Sequence, residues 1–338
     1  MKYTMLLWPH ANARYQQETR RLALSELRLM LDKIAPEAQA NIDETSAMPC
    51  LSIEVPAALD ERALSAIARH SLLYGLFEAR EDRSLMPVEG RAPACLGEDL
   101  PAILKYKGKT NEMFLQLLWN AALWASDFWE DEGLTVLDPM CGRATAPFIA
   151  LNRGWNAVGA DVDRTDLKEA EKFFKRYLEY HRFKHTSARS SRTLRGGRSV
   201  PVVRFDVPDA SGRAVSLDLA ELDAARAGEA FPKHSFHLVA CDLPYGVKHD
   251  AQVKPGAKGE KNWLEALLRQ SLSGIERLLK PGGAVAMSFN AQTFRLDRLR
   301  ALMAEAGLEP MAGGPYDGFE HWVEQAITRD VAVARKPR

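Results

Sequence analysis

The chain has 338 residues, 46% of them hydrophobic and 27% charged, which is enough for about two domains with a sizeable core. Its 45 basic side chains balance 45 acidic ones, which excludes a uniformly basic nucleic-acid coat but permits a local basic patch. No apolar run approaches the roughly 20 residues of a membrane span, and the first residues lack the features of a signal peptide. The four cysteines are widely spaced, without a C-x-x-C pair. This usage predicts a cytoplasmic protein without a structural zinc.

The first hundred residues have the pattern of a small α+β unit. A stripe of leucines before Ile34 has helical spacing, and Asp60 is a suitable N-cap for a second helix. The predicted strands are Tyr3–Trp8, Ala38–Ile42, Leu51–Val55 and Leu72–Ala79. The resulting β-α-β-β-α-β order is the ferredoxin-like split motif. We therefore expect a ferredoxin-like N-terminal domain over residues 1–85 and a Pro- and Gly-rich linker over residues 86–105.

Residues 106–338 alternate between apolar strands and longer helices. This alternation is typical of a Rossmann-like α/β fold with a doubly wound, mostly parallel sheet. The last two strands, Glu320–Ile327 and Asp330–Ala334, have no helix between them and predict a C-terminal antiparallel hairpin. The other predicted strands are Leu134–Leu137, Ala157–Gly159, Val200–Phe205, His237–Ala240 and Ala284–Phe289.

The loop after the first of these strands has the pattern of a nucleoside site. Asp138 ends the strand, Gly142 permits a tight turn, and Thr145 can cap the following helix. Asp161 ends the next strand, 23 residues after Asp138, where a carboxylate would bind a ribose diol. A dinucleotide site would need G-x-G-x-x-G for its pyrophosphate, whereas this loop has one glycine and begins with an acid. It therefore favours a ligand with an ammonium group and no phosphate, such as S-adenosylmethionine.

A second motif, Asp242-Leu243-Pro244-Tyr245, follows the strand His237–Ala240. An exocyclic amine on a nucleobase is a poor nucleophile because its lone pair is conjugated with the ring. The Asp242 carboxylate and a backbone carbonyl could accept both N–H bonds and stabilise the charge that develops on the nitrogen during methyl transfer. Tyr245 could stack on a base removed from its helix, and Pro244 stiffens the loop.

Together these motifs resemble those of amino-methylating class I S-adenosylmethionine-dependent methyltransferases, especially the tRNA guanine-N2 methyltransferases. The resemblance covers the chain from Tyr106 to the C-terminus. It implies that Asp242, Pro244 and Tyr245 are catalytic and that Leu243 lies at the substrate. It also implies that the cofactor is bound by residues in four segments, namely Thr110, Asp138, Pro139, Cys141, Gly142, Asp161, Val162 and Asp206.

Three features depart from that family. Ala144 stands where the family has a second glycine, so the turn must accommodate a methyl group. Leu243 replaces the commoner first proline, a variant associated with RNA enzymes. The N-terminal residues correspond to the ferredoxin-like part alone, without the further RNA-binding module of the relatives.

A basic stretch lies between Lys172 and Arg204, where Glu179 is the single acid. It either contacts the phosphates of a nucleic acid, through residues that include Arg189, Arg192 and Arg195, or forms a solvated insertion. Lys248 and Asn290 are further candidates for substrate contact, although a turn role suits Asn290 as well. The histidines show no metal-ligand spacing, so no metal is expected.

The sequence thus predicts a cytoplasmic enzyme that methylates an exocyclic amine, with guanine N2 in a structured RNA such as tRNA as the first choice. Adenine N6 in DNA and a glutamine side-chain amide in protein are alternative acceptors. A catalytically silent RNA-binding module is the alternative outside enzymes. The oligomeric state is left open.

Overall fold

The chain forms two compact units in the computed structural model, which describes residues 1–10, 12–82, 84–88, 94–208, 212–244 and 260–338. The first unit comprises Met1–Pro93 and Ala312–Val331, and the second comprises Ala94–Met311 and Ala332–Arg338. The first unit therefore includes a segment close to the C-terminus that the sequence had not assigned to it. The predicted division into a domain over residues 1–85, a linker over residues 86–105 and a domain over residues 106–338 stays a prediction.

The first unit contains a five-stranded antiparallel sheet. Its strand order is β2-β3-β1-β4-β5, and β1 is antiparallel to both β3 and β4, as in the ferredoxin-like split motif. The Asp60 side chain accepts a hydrogen bond from the backbone of Ala63, which confirms the predicted N-cap of α2. The elements are β1 Lys2–Leu7, α1 Ala13–Ile34, β2 Gln39–Ile42, β3 Cys50–Glu54, α2 Glu61–Ile67, β4 Leu73–Ala79 and β5 Leu85–Pro87.

The second unit is built on a larger sheet with helices between its strands. Its helices are α3 Leu100–Ile103, α4 Glu112–Ala125, α5 Thr145–Asn152, α6 Arg164–Tyr180, α7 Ala227–Ala230, α8 Glu260–Leu278 and α9 Leu296–Glu305. Its strands are β6 Thr135–Asp138, β7 Asn156–Asp161, β8 Thr186–Thr193, β9 Ser199–Pro208, β10 Ala214–Glu221, β11 Phe236–Asp242, β12 Leu279–Asn290, β13 Glu309–Pro310 and the end of β15 Ile327–Arg335. Strand β14 His321–Glu324 and the start of β15 belong to the C-terminal segment of the first unit.

The sheet has the order β13-β15-β12-β11-β6-β7-β10-β9-β8, and β14 pairs with β15 alone. The central strands β10, β7, β6, β11 and β12 are parallel to one another. The β14–β15 pair is antiparallel, as the sequence predicted for the C-terminal hairpin. The structure thus confirms the Rossmann-like, doubly wound, mostly parallel sheet. Its central strands all present their carboxyl ends at one edge, where such sheets bind ligands.

One part of the predicted sheet was wrong. The predicted strand Val200–Phe205 lies in β9, which is antiparallel to β10 and belongs to an inserted hairpin with β8. The third parallel strand is β10, which the sequence did not reveal. It buries Asp218, which is paired with Arg192 of β8 and Arg204 of β9. The charge of Asp218 interrupts the apolar pattern expected of a buried strand, and the arginines that compensate this charge lie on other strands.

The interior of the second unit is apolar on both faces of the sheet. Trp119 of α4 is fully buried, and its indole nitrogen donates to the carbonyl of Ala146 at 2.9 Å. Its ring meets that of Trp155 edge to face, with 6.2 Å between the centroids. None of the helices in the described part of the chain is long and apolar enough to cross a bilayer.

Candidate functional site

Polar residues end the parallel strands at the carboxyl edge of the larger sheet. Asp161 and Glu221 are direct neighbours in the β7–β10 register, and Asp242 is the neighbour of Ser288 in the β11–β12 register. Asp138 ends β6, between β7 and β11. The structure therefore brings Asp138, Asp161 and Asp242 to one edge.

The loop between β6 and α5 is fixed to Asp161. The backbone amide of Gly142 donates to Asp161 Oδ2 at 2.7 Å, and the amide of Asp163 donates to Oδ1 at 2.9 Å. The Cys141 amide donates to the carbonyl of Ala160 at 2.9 Å. Burial raises the pKa of Asp161, while the hydrogen bonds from the Asp163 and Gly142 amides oppose the rise. Each carboxylate oxygen has a further lone pair, so Asp161 can still accept from a ligand hydroxyl.

Two small residues shape this loop. Gly142 has a φ of +50° in open space, and Ala144 adopts the left-handed conformation with a φ of 64°. Ala144 is the N-cap of α5 and provides no side-chain cap, so the predicted capping role of Thr145 was wrong. Thr145 is instead the first residue of the helix, and its hydroxyl lies 3.5 Å from that of Tyr106.

Asp138 is 4% exposed, and its Oδ1 accepts from the Met140 amide at 3.0 Å. Burial raises the pKa of Asp138 well above its usual range, the Met140 hydrogen bond opposes the rise, and the charges of Asp161 and Asp242 add to it. The ionised form of a buried acid close to other acids is unfavourable unless a cation binds beside it. This arrangement suits a ligand that presents an ammonium group.

Asp242 is held from two sides. The Thr110 hydroxyl donates to its Oδ2 at 2.5 Å, and the Ser288 hydroxyl donates to its Oδ1. The next amide along the chain, that of Leu243, donates to the Ser288 carbonyl at 2.9 Å. Thr110, expected at the cofactor, therefore orients the carboxylate of the second motif.

The second motif is only partly described. The side chain of Leu243 is 1% exposed and packs in the hydrophobic core, so it does not face a substrate, contrary to prediction. Pro244 is half-buried at the end of the described segment. Tyr245 and Lys248 lie outside the described residues, and their assigned roles stay predictions.

The structure does not bring Asp206 to this edge. Asp206 lies within the antiparallel strand β9, opposite Ser216, and pairs with Arg204 at 2.9 Å. The position assigned to it, after the third parallel strand, is held by Glu221 and Asp223. The sequence signal for these acids was the run Ala214–Ala220 that precedes them, which the buried Asp218 disguised.

A cavity of about 170 Å³ lies beside this strand end, and Val162, Glu221, Leu222 and Asp223 contribute to its lining. Val162 is 68% exposed. The remaining lining residues are Leu194, Arg198, Val200 and Arg226.

The predicted phosphate-binding arginines fall into two groups. Arg189 is paired with Glu171, and Arg192 is paired with Asp218 at 3.4 Å and lies over the ring of Phe231. Both join the inserted hairpin to neighbouring elements, and the hairpin is paired into the sheet through β9. Arg195, by contrast, is exposed in the turn of that hairpin.

Asn290 caps the turn after β12. Its side-chain oxygen accepts from the Gln292 amide at 3.1 Å, and its carbonyl accepts from the amides of Thr293 and Phe294. Asn290 is 3% exposed, so the turn role is the one the structure supports. Among the described residues, no group of three or more His, Cys, Asp or Glu side chains is arranged to hold a metal ion.

Comparisons with known proteins give structural likeness alone. No family model matches the chain, and no curated protein sequence matches it. TrmN from Thermus thermophilus is 16% identical, with 99% of this chain and 100% of that chain covered and a TM-score of 0.47. A TehB-like SAM-dependent methyltransferase from Corynebacterium glutamicum is 15% identical, with 64% and 86% covered and a TM-score of 0.37. The N-methyltransferase NodS from Bradyrhizobium japonicum is 12% identical, with 67% and 95% covered and a TM-score of 0.38.

Proposed function

We propose that the protein is an S-adenosylmethionine-dependent methyltransferase that acts on an exocyclic amine of a nucleobase. The observation that carries the proposal is the convergence of Asp138, Asp161 and Asp242 at one edge of a doubly wound sheet. Each acid has surroundings that suit a different part of this reaction.

The residues present fit the cofactor. The buried Asp138 carboxylate suits the ammonium group of its methionine part, and Asp161 suits the ribose hydroxyls. The cavity beside Val162 suits the base. The β6–α5 loop has a single glycine and an acid at its start, which disfavours the pyrophosphate of a dinucleotide. When bound, the cofactor supplies an electrophilic methyl group on a sulfonium.

Asp242 is suited to hold the acceptor amine. Because Thr110 and Ser288 fix its two oxygens, the carboxylate has a defined orientation at the strand end. It can accept a hydrogen bond from the amine N–H and stabilise the positive charge that develops on the nitrogen as the N–C bond forms and the S–C bond breaks. The nitrogen then loses one proton to solvent. The carbonyl of Pro244 is the proposed second acceptor.

A nucleic acid is the proposed source of that amine, with guanine N2 in a structured RNA such as tRNA as the first choice. The exposed Arg195 and Arg198 lie in the hairpin turn beside the cavity and can contact phosphates. Their contribution is electrostatic, so it should depend on salt.

Substitution of the proposed catalytic acid tests the function. We expect Asp242→Asn to lose methyl transfer to tRNA by at least about a hundredfold, as for the loss of a transition-state contact. Asp206→Asn is the matched control, since Asp206 lies in β9 away from the edge. Labelled cofactor is offered with tRNA, duplex DNA and a protein mixture, and nucleosides are analysed by mass spectrometry. Equal rates for Asp242→Asn and the parent would refute the assignment, and labelled DNA or protein instead of tRNA would redirect the acceptor.

A salt series tests the nucleic-acid surface. The double variant Arg195→Ala/Arg198→Ala should make the plot of log K for RNA binding against log salt concentration less steep, by about the contribution of two phosphate contacts. Arg189→Ala is the control, because Arg189 is on the same hairpin but is paired with Glu171. A slope that is unchanged in the double variant would remove this surface from the proposal.

A further inference from the structure

The inserted hairpin extends past the strand on which it is built. The β9–β10 register pairs Val202 with Ala220, which places Val200 beyond Glu221, level with the end of β10. The turn of residues 194–198 therefore stands at the carboxyl edge of the sheet. Without β8 and β9, β10 would be the edge strand and this side of the edge would be open to solvent.

The turn is fixed in this position. The Leu194 amide donates to the Arg198 carbonyl at 2.7 Å, and Gly196 and Gly197 have φ values of +85° and +83° that favour glycine. Arg226 donates to the Arg195 carbonyl at 3.2 Å and to Glu229 at 2.8 Å. The turn is thus joined to the segment that follows β10.

The cavity beside the turn is lined by four apolar residues, two acids and two arginines. Leu194 and Val200, each 3% exposed, come from the hairpin, while Leu222 and the exposed Val162 come from the parallel strands' ends. Its volume of about 170 Å³ suffices for one flat heterocycle. Glu221 and Asp223 can accept from an exocyclic amine, and Arg198 and Arg226 also contribute to the lining.

We propose that the hairpin turn of residues 194–198 forms the outer wall of the cofactor's base pocket, with Leu194 and Val200 setting the size of the base that is accepted. This inference rests on the proposed function, since it takes the base to be the adenine of S-adenosylmethionine. The inserted hairpin, which lies outside the parallel strands, would then take part in selecting the cofactor. Val162 forms the opposite wall.

A pair of matched valine variants tests the proposal by binding rather than by activity. Val200 and Val207 both lie in β9 and are both buried, but only Val200 lines the cavity. Calorimetry measures S-adenosylhomocysteine, adenosine, and adenosines that bear an added alkyl group at N6 or C2. We expect Val200→Ala to bind the first two about tenfold more weakly and to gain at least tenfold for one enlarged adenosine. Val207→Ala should match the parent, and Leu194→Ala should repeat the effect of Val200→Ala.

The gain for an enlarged ligand separates a pocket wall from a general loss of stability. If Val200→Ala and Leu194→Ala keep the parent's preference for every adenosine, the turn is not a wall of the base pocket and the inference is wrong. If the parent binds S-adenosylhomocysteine but methylates no acceptor, the inference stands and the proposed reaction fails. If the parent binds neither S-adenosylhomocysteine nor adenosine, both fail.

Discussion

Replacing Asp138 by asparagine should stabilise the ligand-free protein at neutral pH and weaken cofactor binding. Burial and two neighbouring acids raise the pKa of Asp138 in the folded protein, whereas in the unfolded chain the carboxyl has an ordinary pKa of about 3.9. Between these two values, the folded state keeps a proton that the unfolded state has released. The stabilising contribution is therefore complete below the unfolded pKa and is lost as pH rises through the folded pKa.

The size of the effect follows from this linkage. Each pH unit between the two pKa values lowers the stability of the ligand-free parent by up to about 1.4 kcal/mol. For a unit of this size, that corresponds to about 3–6 °C in Tm per pH unit. The amide side chain of the Asp138→Asn variant does not ionise, so the stability of that variant should lack this slope. The ammonium group of the cofactor favours the charged carboxylate, so cofactor affinity in the parent should rise with pH.

Thermal unfolding from pH 5 to 8, with and without S-adenosylhomocysteine, measures both effects. We expect Asp138→Asn to have the higher Tm at pH 7 without ligand and the smaller increase when ligand is added. Asp206→Asn serves as a control for a carboxylate outside the site, since Asp206 is paired with Arg204. Parallel pH profiles for parent and Asp138→Asn would refute the reasoning, as would equal ligand affinities.

Three further substitutions test the loop and the proposed catalytic acid. An added Cβ at Gly159 would lie 2.8 Å from the Cys141 sulfur, so Gly159→Ala should lower the free energy of unfolding in urea by about 1–3 kcal/mol. Adding Cys141→Ala should restore part of that stability. Full stability of the single variant would contradict the packing. Ala144→Gly should add about 1 kcal/mol of stability, because it removes a left-handed alanine; a loss in the same assay would show that the conformation is not strained. Ser288→Ala should lower kcat about tenfold by removing a hydroxyl from Asp242, with S-adenosylhomocysteine affinity unchanged and Ser288→Thr close to the parent; a loss of affinity instead would place Ser288 at the cofactor.

The part of the site that the sequence predicted is the part encoded locally. Asp138 and Asp161 each follow a short apolar strand, and a parallel sheet necessarily brings such strand ends to one edge. Asp242 follows a third strand of the same kind. The carboxylates could therefore be placed from alternation and strand direction alone.

The rest depends on partners that are distant in sequence. The hydrogen bond from Thr110 to Asp242 joins residues 132 positions apart, and no local pattern announces it. Strand β10 escaped notice because Asp218 is neutralised by arginines from two other strands. Asp206 was consequently assigned to a strand end that Glu221 and Asp223 occupy. A hydropathy pattern that is read one segment at a time does not show the ion pairs that form between strands.

Strand β8 ends the larger sheet in the described part of the chain, and seven of its eight residues are exposed. An outermost strand of this kind is a template on which another polypeptide could polymerise. The segment Thr186–Thr193 consists of hydroxyl, alanine and arginine side chains, so a second copy would gain almost no apolar burial there. Two such strands would also bring like charges together. Charged side chains on an edge strand disfavour pairing with another chain, so the composition of β8 suits its place at the end of the sheet.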